Sequence, residues 1–405
     1  MVRFQRAAYF LVMLGLMYGC KYSVTVHDKD KVWPGYVLPS RSLGSTTSVL
    51  DLNGETVKTY PCPGFPAKML NDGSIICNNL KVGRLVVPEI RQVSADGTTL
   101  WQFRNWSANS AKQHHDYQIA GNPVGYYVPG MVMTGPAEGG NILVMANETL
   151  APWEQDIHFG FLKDDVIYEV DPIGNIVWEW HASEHVDEMG FSESALRSIR
   201  LSLSNDWLHM NTVSYLGPNK WYEEFGDERF HPENLIVGSA KSNWVAIIDK
   251  QTKKFVWRMG PDYSAGMPGS NLGGVRFSHS AHVIPKGLPG EGNILIFDNG
   301  TSSGRGDQAL KGVMYSRVLE FNPMDFSLVW EYVDDKLFSP NMSNAQRLPN
   351  GNTFITEGLT GTLLEVTADK ELVWEAHGPP TYRAYRIPFE WVDGQEKNMN
   401  ANELF

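Results

Sequence analysis

Three stretches of this 405-residue chain carry histidine in comparable surroundings: KQHHDYQIAGNPVGYY (112–127), NDWLHMNTVSYLGPNKW (205–221) and FSHSAHVIP (277–285). A neutral imidazole can serve as nucleophile, general base or metal ligand near pH 7. It can equally be a packed ring inside a strand, and no single stretch distinguishes these uses. In the third, His279 and His282 precede a Pro/Gly-rich turn (285–292), the apolar strand Asn293–Phe297 and then Asp-Asn-Gly. Strand, turn, strand is the direct reading. Residues two apart on a strand share a face. His279 and Ala281 are therefore expected on one face and Ser280 and His282 on the other. By the same rule Asn211 is expected beside His209. Lys241, Arg305, Arg383 and Arg386 are cations able to join such a cluster, although a solvated surface charge accounts for each as well.

The elements that must position these residues repeat. A strand–turn–strand unit occurs six times: VLDLNGETVKTY (49–60), RQVSADGTTLWQF (91–103), IYEVDPIGNIVWEW (167–180), AIIDKQTKKFVWRM (246–259), VLEFNPMDFSLVWEY (318–332) and LLEVTADKELVWEA (363–376). Trp101, Trp178, Trp257, Trp330 and Trp374 hold matching places, with Lys58 in the first copy. Five copies are preceded by a Gly/Asn turn and an apolar strand, as in EGGNILVMA (138–146) and PGEGNILIF (289–297). With the strand before each such turn, the unit is a four-stranded meander. Six of these predict an all-β, six-bladed β-propeller. The segment Thr381–Trp391 is expected to close the ring with the N-terminal strands, which removes open sheet edges. In a propeller, equivalent inner strands converge on the axis, so His115, His209 and His279 are expected to meet there. SESALRSIRLSLS, within the long insert 183–204, reads as a short helix.

A formal net charge of −12 excludes bulk attraction to nucleic acid. Arg3 and Arg6 followed by the apolar run Ala7–Gly19 read as an export signal. Cys20 after Gly19 resembles a lipoprotein cleavage position, which would attach the chain to a membrane; an uncleaved anchor is the alternative. The expected organisation is thus a signal over 1–20 and one propeller domain over 21–405, exported to the periplasm or beyond. Cys62 and Cys77 are then the cysteines left to pair, closing a loop that contributes roughly 3 kcal/mol. No Cys/His metal spacing, phosphate loop or nucleotide fingerprint is present in the sequence.

Stretches such as DWLHMN, GPNKW, FHPENLIV, AIIDKQTKKFVWRMGP, HVIPKGLPGEGNILIFDNG and RLPNGNTFITEG resemble the bacterial arylsulfate sulfotransferases, over about Lys112 to Trp391. The resemblance implies an exported six-bladed propeller. It also implies sulfuryl transfer from an aryl sulfate to a phenol, with no nucleotide donor and no cofactor. It implies His279 as a nucleophile forming a sulfohistidine, supported by His209 and Asn211, with a further histidine at His115 or His114. Arg305, Lys241 and Arg383 are the cations expected to bind the sulfate group. The chain departs from the family pattern at Ala240, where an arginine is usual, and at Ser278, where glutamine is usual. The family's separate N-terminal β-domain is reduced or missing.

Three other functions use the same residues. A polysaccharide lyase would recruit Tyr126, Tyr127, Tyr215 and Arg305 around a histidine. A non-catalytic binding propeller is consistent with Ala240. A metal centre could be built from His115, His209 and His279.

Overall fold

A computed structural model describes residues 21–41, 44–78, 89–104, 112–300 and 315–393. The signal stretch 1–20, Cys20 included, and Arg305 lie outside the described residues. Six antiparallel sheets form a six-bladed β-propeller, as the repeat predicts. Blades 2 to 5 each run outward from the axis in chain order. Their innermost strands are Lys68–Met69, Lys112–Ile119, Met210–Tyr215 and His279–Val283. Asn344–Arg347 is the inner strand of blade 6.

Blade 1 is made from both ends of the chain. Thr381–Ile387 supplies its inner strand and pairs antiparallel with Tyr36–Arg41, which is followed by Thr47–Leu50 and Thr56–Tyr60. A second closure was not expected from the sequence. Ser23–His27 adds a fifth, outermost strand to blade 6 by pairing with Leu372–His377. Each end of the chain is therefore tied into a blade completed by the other.

The punctuating tryptophans have a common task. The indole N–H of Trp101, Trp178, Trp257, Trp330 and Trp374 donates to the carbonyl of Pro172, Lys250, Pro323, Ala368 and Leu52, at 2.8–2.9 Å. Each acceptor sits in the outer hairpin turn of the next blade round the ring. The indole buries apolar area between blades, and its N–H satisfies an orphan turn carbonyl. In the Val49–Tyr60 hairpin, Lys58 stands where the others have Trp.

Inner strands are buried throughout, and between the blades lie continuous clusters such as Leu143, Trp180, Met210, Val237 and Trp244. The helix read over the 183–204 insert runs from Glu193 to Arg200, capped by Ser192, whose hydroxyl accepts from the Ala195 N–H. All inner strands begin at one face of the ring, and that face carries the histidines.

Candidate functional site

The inner strands are not regular where they reach this face. In Lys112–Ile119, Val144 pairs with Tyr117 but Ala146 with Gln113, so two residues are extra on the inner strand. One residue is extra between Met210 and Thr212, and one between His279 and His282. Such bulges re-aim side chains. They coincide with non-glycine residues at positive φ: His115 (56°), His209 (53°), Phe277 (55°) and Ser280 (57°), with Met342 (61°) and Ser343 (84°) entering blade 6. Left-handed conformations at such residues cost on the order of 1–2 kcal/mol each, and their clustering marks a functional region.

The bulges overturn two expectations drawn from simple alternation. His279 pairs with Phe297 and His282 with Leu295, so the two histidines share a sheet face. Asn211, the extra residue, does not line up beside His209. Its amide donates to the Ser278 carbonyl at 2.8 Å and its oxygen accepts from the Thr212 hydroxyl, with no exposure. It holds the segment leading into His279 and does not reach a ligand.

His115, His209 and His279 do come together. The rings of His115 and His209 lie 4.8 Å apart, edge to face. Phe277 bridges His209 and His279, at 6.1 and 5.9 Å between ring centres. Phe65 stacks on Tyr382 at 4.1 Å and approaches His115 at 5.8 Å. Phe65 is carried by the loop closed by the Cys62–Cys77 disulfide, and Asn78 grips its backbone on both sides.

Each histidine has a defined tautomer. The Asn299 amide nitrogen donates to the carbonyls of Ser339 and Met342, at 2.8 and 3.1 Å, so its oxygen must face His279 Nδ1, 2.8 Å away. The Phe277 carbonyl lies 3.1 Å from the same nitrogen. His279 therefore carries its proton on Nδ1 and leaves Nε2 bare. Burial pushes this imidazole down to about 3, against the opposing pull of Asn299. Nε2 accepts a long bond, 3.2 Å, from the Met342 N–H.

His209 donates from Nδ1 to Asp206 at 2.6 Å. Burial pushes the Asp206 carboxyl up, but His209, Lys163 and Lys241 outweigh it and hold the group well below the usual carboxylate range. Lys241 thus meets Asp206 at 3.0 Å behind His209, not a ligand.

His114 is 2 % exposed and also faces no ligand. Its Nε2 lies obliquely 3.0 Å from Asp165, and its Nδ1 is 2.7 Å from His115 Nδ1. Burial, with His209, His114, His279 and Lys163 nearby, holds the His115 imidazole well below its ordinary range.

Arg383 is 2 % exposed and occupied by Asp116 and the Asn211 carbonyl, both at 2.8 Å. Asp116 also binds Lys68 at 2.9 Å, so Arg383 is part of a buried ion network on the axis. Burial raises the Asp116 carboxyl, but Arg383 and Lys68 outweigh it and leave it lowered. A cavity with room for about one water lies beside this network, lined among others by Gln118, Tyr126, Thr212 and His282.

Sequence reasoning missed Asp165, Asp206, Asn299, Phe65 and Lys163. Asp206 and Asn299 lie within quoted stretches, and the His209 spacing (D-x-x-H) hinted at the first. Lys163 is the second residue of the third strand of blade 3, and its backbone N–H donates to the Asn205 carbonyl. Its side chain has no ion pair or hydrogen bond among the described residues and is half-buried beside the histidines.

Among the described residues, the three tyrosines of the lyase constellation do not come together. Tyr126 is buried against His282 at 2.9 Å, Tyr127 packs on Trp33 and Trp391, and Tyr215 ends its strand at the opposite face. Among the described residues no group of three or more His, Cys, Asp or Glu side chains is placed to hold a metal ion.

A family model described as Arylsulfotransferase (ASST) matches residues 134–377. No curated protein matches. Among solved structures, one of a protein of unknown function from Bacteroides caccae aligns with a TM-score of 0.50 at 13% identity, covering 88% of this chain and 99% of that one. The Cps50 (Swd1) β-propeller domain of Myceliophteria thermophila aligns at 0.42 and 9% identity, covering 90% of this chain and 87% of that one. At these identities the likeness concerns the fold alone. The matched segment takes in well over half the sequence, with His209, Asn211 and His279 inside it, and the chain therefore belongs to the arylsulfotransferase family.

Proposed function

We propose that the protein moves a sulfuryl group from an aryl sulfate ester to a phenol by a ping-pong route, with His279 Nε2 as the nucleophile. The observation that carries this reading is the Asn299 amide, which holds the His279 proton on Nδ1 and presents a bare Nε2 in a family member. In the first half, Nε2 attacks sulfur, the ester S–O bond breaks and a phenolate leaves. In the second, a phenol oxygen attacks sulfur, the S–N bond breaks and the phenolic proton passes to a histidine.

Charge positioning does most of the work in such transfers, as in phosphoryl transfer. The Met342 N–H now on Nε2 would be freed to a sulfuryl oxygen once sulfur bonds there, which makes it a backbone oxyanion donor. Among the described residues, Lys163 is the candidate cation beside the histidines that no ion pair holds, whereas Arg383 and Lys241 are already paired. Asp206 supports positive charge on His209 when its Nε2 takes a proton. Phe277, partly exposed between His209 and His279, offers a flat apolar face for an aryl ring. The 1–20 stretch and the disulfide support a place of action outside the cytoplasm.

The test is brief mixing with 4-nitrophenyl sulfate, alkaline quench and peptide mass spectrometry. One sulfuryl group is expected on the peptide carrying His279, with none in His279→Asn. An adduct on another residue, or normal turnover by His279→Asn, would sink the assignment.

A further inference from the structure

The site holds a buried side-chain chain that the transfer steps above leave unused. Asp165 Oδ2 accepts from the Met210 N–H at 3.0 Å, which anchors the carboxylate to blade 4. Its Oδ1 lies 3.0 Å from His114 Nε2. His114 Nδ1 lies 2.7 Å from His115 Nδ1, and the rings stand nearly perpendicular, at 87°. Asp165, His114 and His115 are all 9 % exposed or less.

One arrangement of protons points a hydrogen of His114 towards Asp165, whose contact with Nε2 is an oblique ion-pair contact and not a formed hydrogen bond. A carboxylate accepts, so the hydrogen of His114 belongs on Nε2 and its Nδ1 is bare. The short contact between the two Nδ1 atoms then requires the hydrogen of His115 to be on Nδ1. That leaves His115 Nε2 bare, with His209, His279 and Lys163 as the titratable and charged groups near the ring. Those neighbours are cationic when charged, and Asp206, the carboxylate beside His209 and Lys163, is already bonded to His209. The carboxylate linked to His115 is Asp165, through His114.

We propose that Asp165 and His114 are positioning residues that set the tautomer of His115 and spread its charge, so that His115 acts as the base for the incoming phenol. As the phenol oxygen attacks the sulfuryl sulfur and the S–Nε2 bond to His279 breaks, the phenolic proton moves to His115 Nε2. The Nδ1–H of His115 strengthens its bond to His114 Nδ1, and Asp165 stabilises the resulting positive charge. The proton leaves to solvent or to the next departing phenolate. The 56° φ of His115 has a reason here: a regular strand would send adjacent His114 and His115 to opposite faces, out of contact. This inference rests on the sulfuryl-transfer reading.

The two half-reactions separate the possibilities. 4-Nitrophenolate leaves without needing a proton, so its burst reports the first half, and transfer to a phenol reports the second. In Asp165→Asn and in His114→Gln, transfer should fall about 10- to 100-fold more than the burst rate does. The loss should grow with the pKa of the acceptor phenol, a dependence that mere loosening of the site would not produce. An equal fall in both halves, or no fall in transfer, would overturn the relay. A wild-type protein without any burst would instead remove the sulfuryl-transfer reading, and the relay with it.

Discussion

At the scale of single residues, the site is a set of imidazoles whose partners decide their use. Asn299, Asp206 and His114 each meet an Nδ1, of His279, His209 and His115 in turn, and Nε2 of His279 accepts from the Met342 N–H. His115 and His279, both held down by burial, supply no positive charge to a sulfate. The proposed transfer therefore leans on Lys163, since Arg383 and Lys241 are held in ion pairs. Replacing Lys163 with Met should lower kcat/KM for an aryl sulfate by roughly 10- to 1,000-fold, in line with the loss of one donor to developing charge. Steady-state rates with and without phenol check this. A change of less than twofold would mean that the sulfate oxygens find their charge elsewhere.

At the scale of elements, the bulges in the inner strands are what turn a packed strand end into a site. Ser280 shows the cost. Its φ of 57° is held by its N–H donating to Thr212 Oγ1 at 2.8 Å, and the conformation favours glycine. Ser280→Gly should therefore leave stability unchanged or raise it by about 1 kcal/mol, and Ser280→Val should lower it, because a β-branched residue resists positive φ. Urea unfolding midpoints give the comparison. Stabilisation by valine would show that the bulge is not strained.

At the scale of the whole molecule, the propeller closes around a buried polar axis. Lys68, Asp116 and Arg383 are ion-paired there, and His282 is held between the Ser280 carbonyl and the Tyr126 hydroxyl, at 2.8 and 2.9 Å. Burial pushes the His282 imidazole down to about 4. Above its unfolded value near 6.5 the ring is neutral in both states and native stability is complete. As pH falls from 6.5 towards 4 the unfolded chain takes a proton that the native ring refuses, so stability is lost across that window. His279 and His115, also lowered by burial, act in the same direction and Asp164, pushed up to about 7 by burial, in the opposite one, so the absolute pH curve mixes them. The difference between wild type and His282→Asn isolates the histidine. Between pH 7.5 and pH 5 the wild type should lose on the order of 2 kcal/mol relative to the variant. A pH-independent difference in denaturation midpoints would mean that His282 is protonated in the native state.

The amino-acid sequence by itself determined the architecture and the neighbourhood of the site. Strand periodicity, turn residues and a tryptophan at each outer strand are local signals, and six copies leave a ring of blades as the economical way to bury them. The same regularity brought His115, His209 and His279 to one face. Tertiary structure alone decided what those residues do. Asn299 reaches His279 across a hairpin, Asp165 reaches His114 from the third strand of blade 3, and Asp116 meets Arg383 across the ring closure. Such pairs depend on register shifts, on which a period-two reading is silent, because one extra residue reverses every side chain beyond it. For that reason Asn211 and Arg383 turned from candidate ligands into buried supports. The fifth strand of blade 6 was likewise invisible, since Ser23–His27 is specified by the open edge it covers, some 350 residues away.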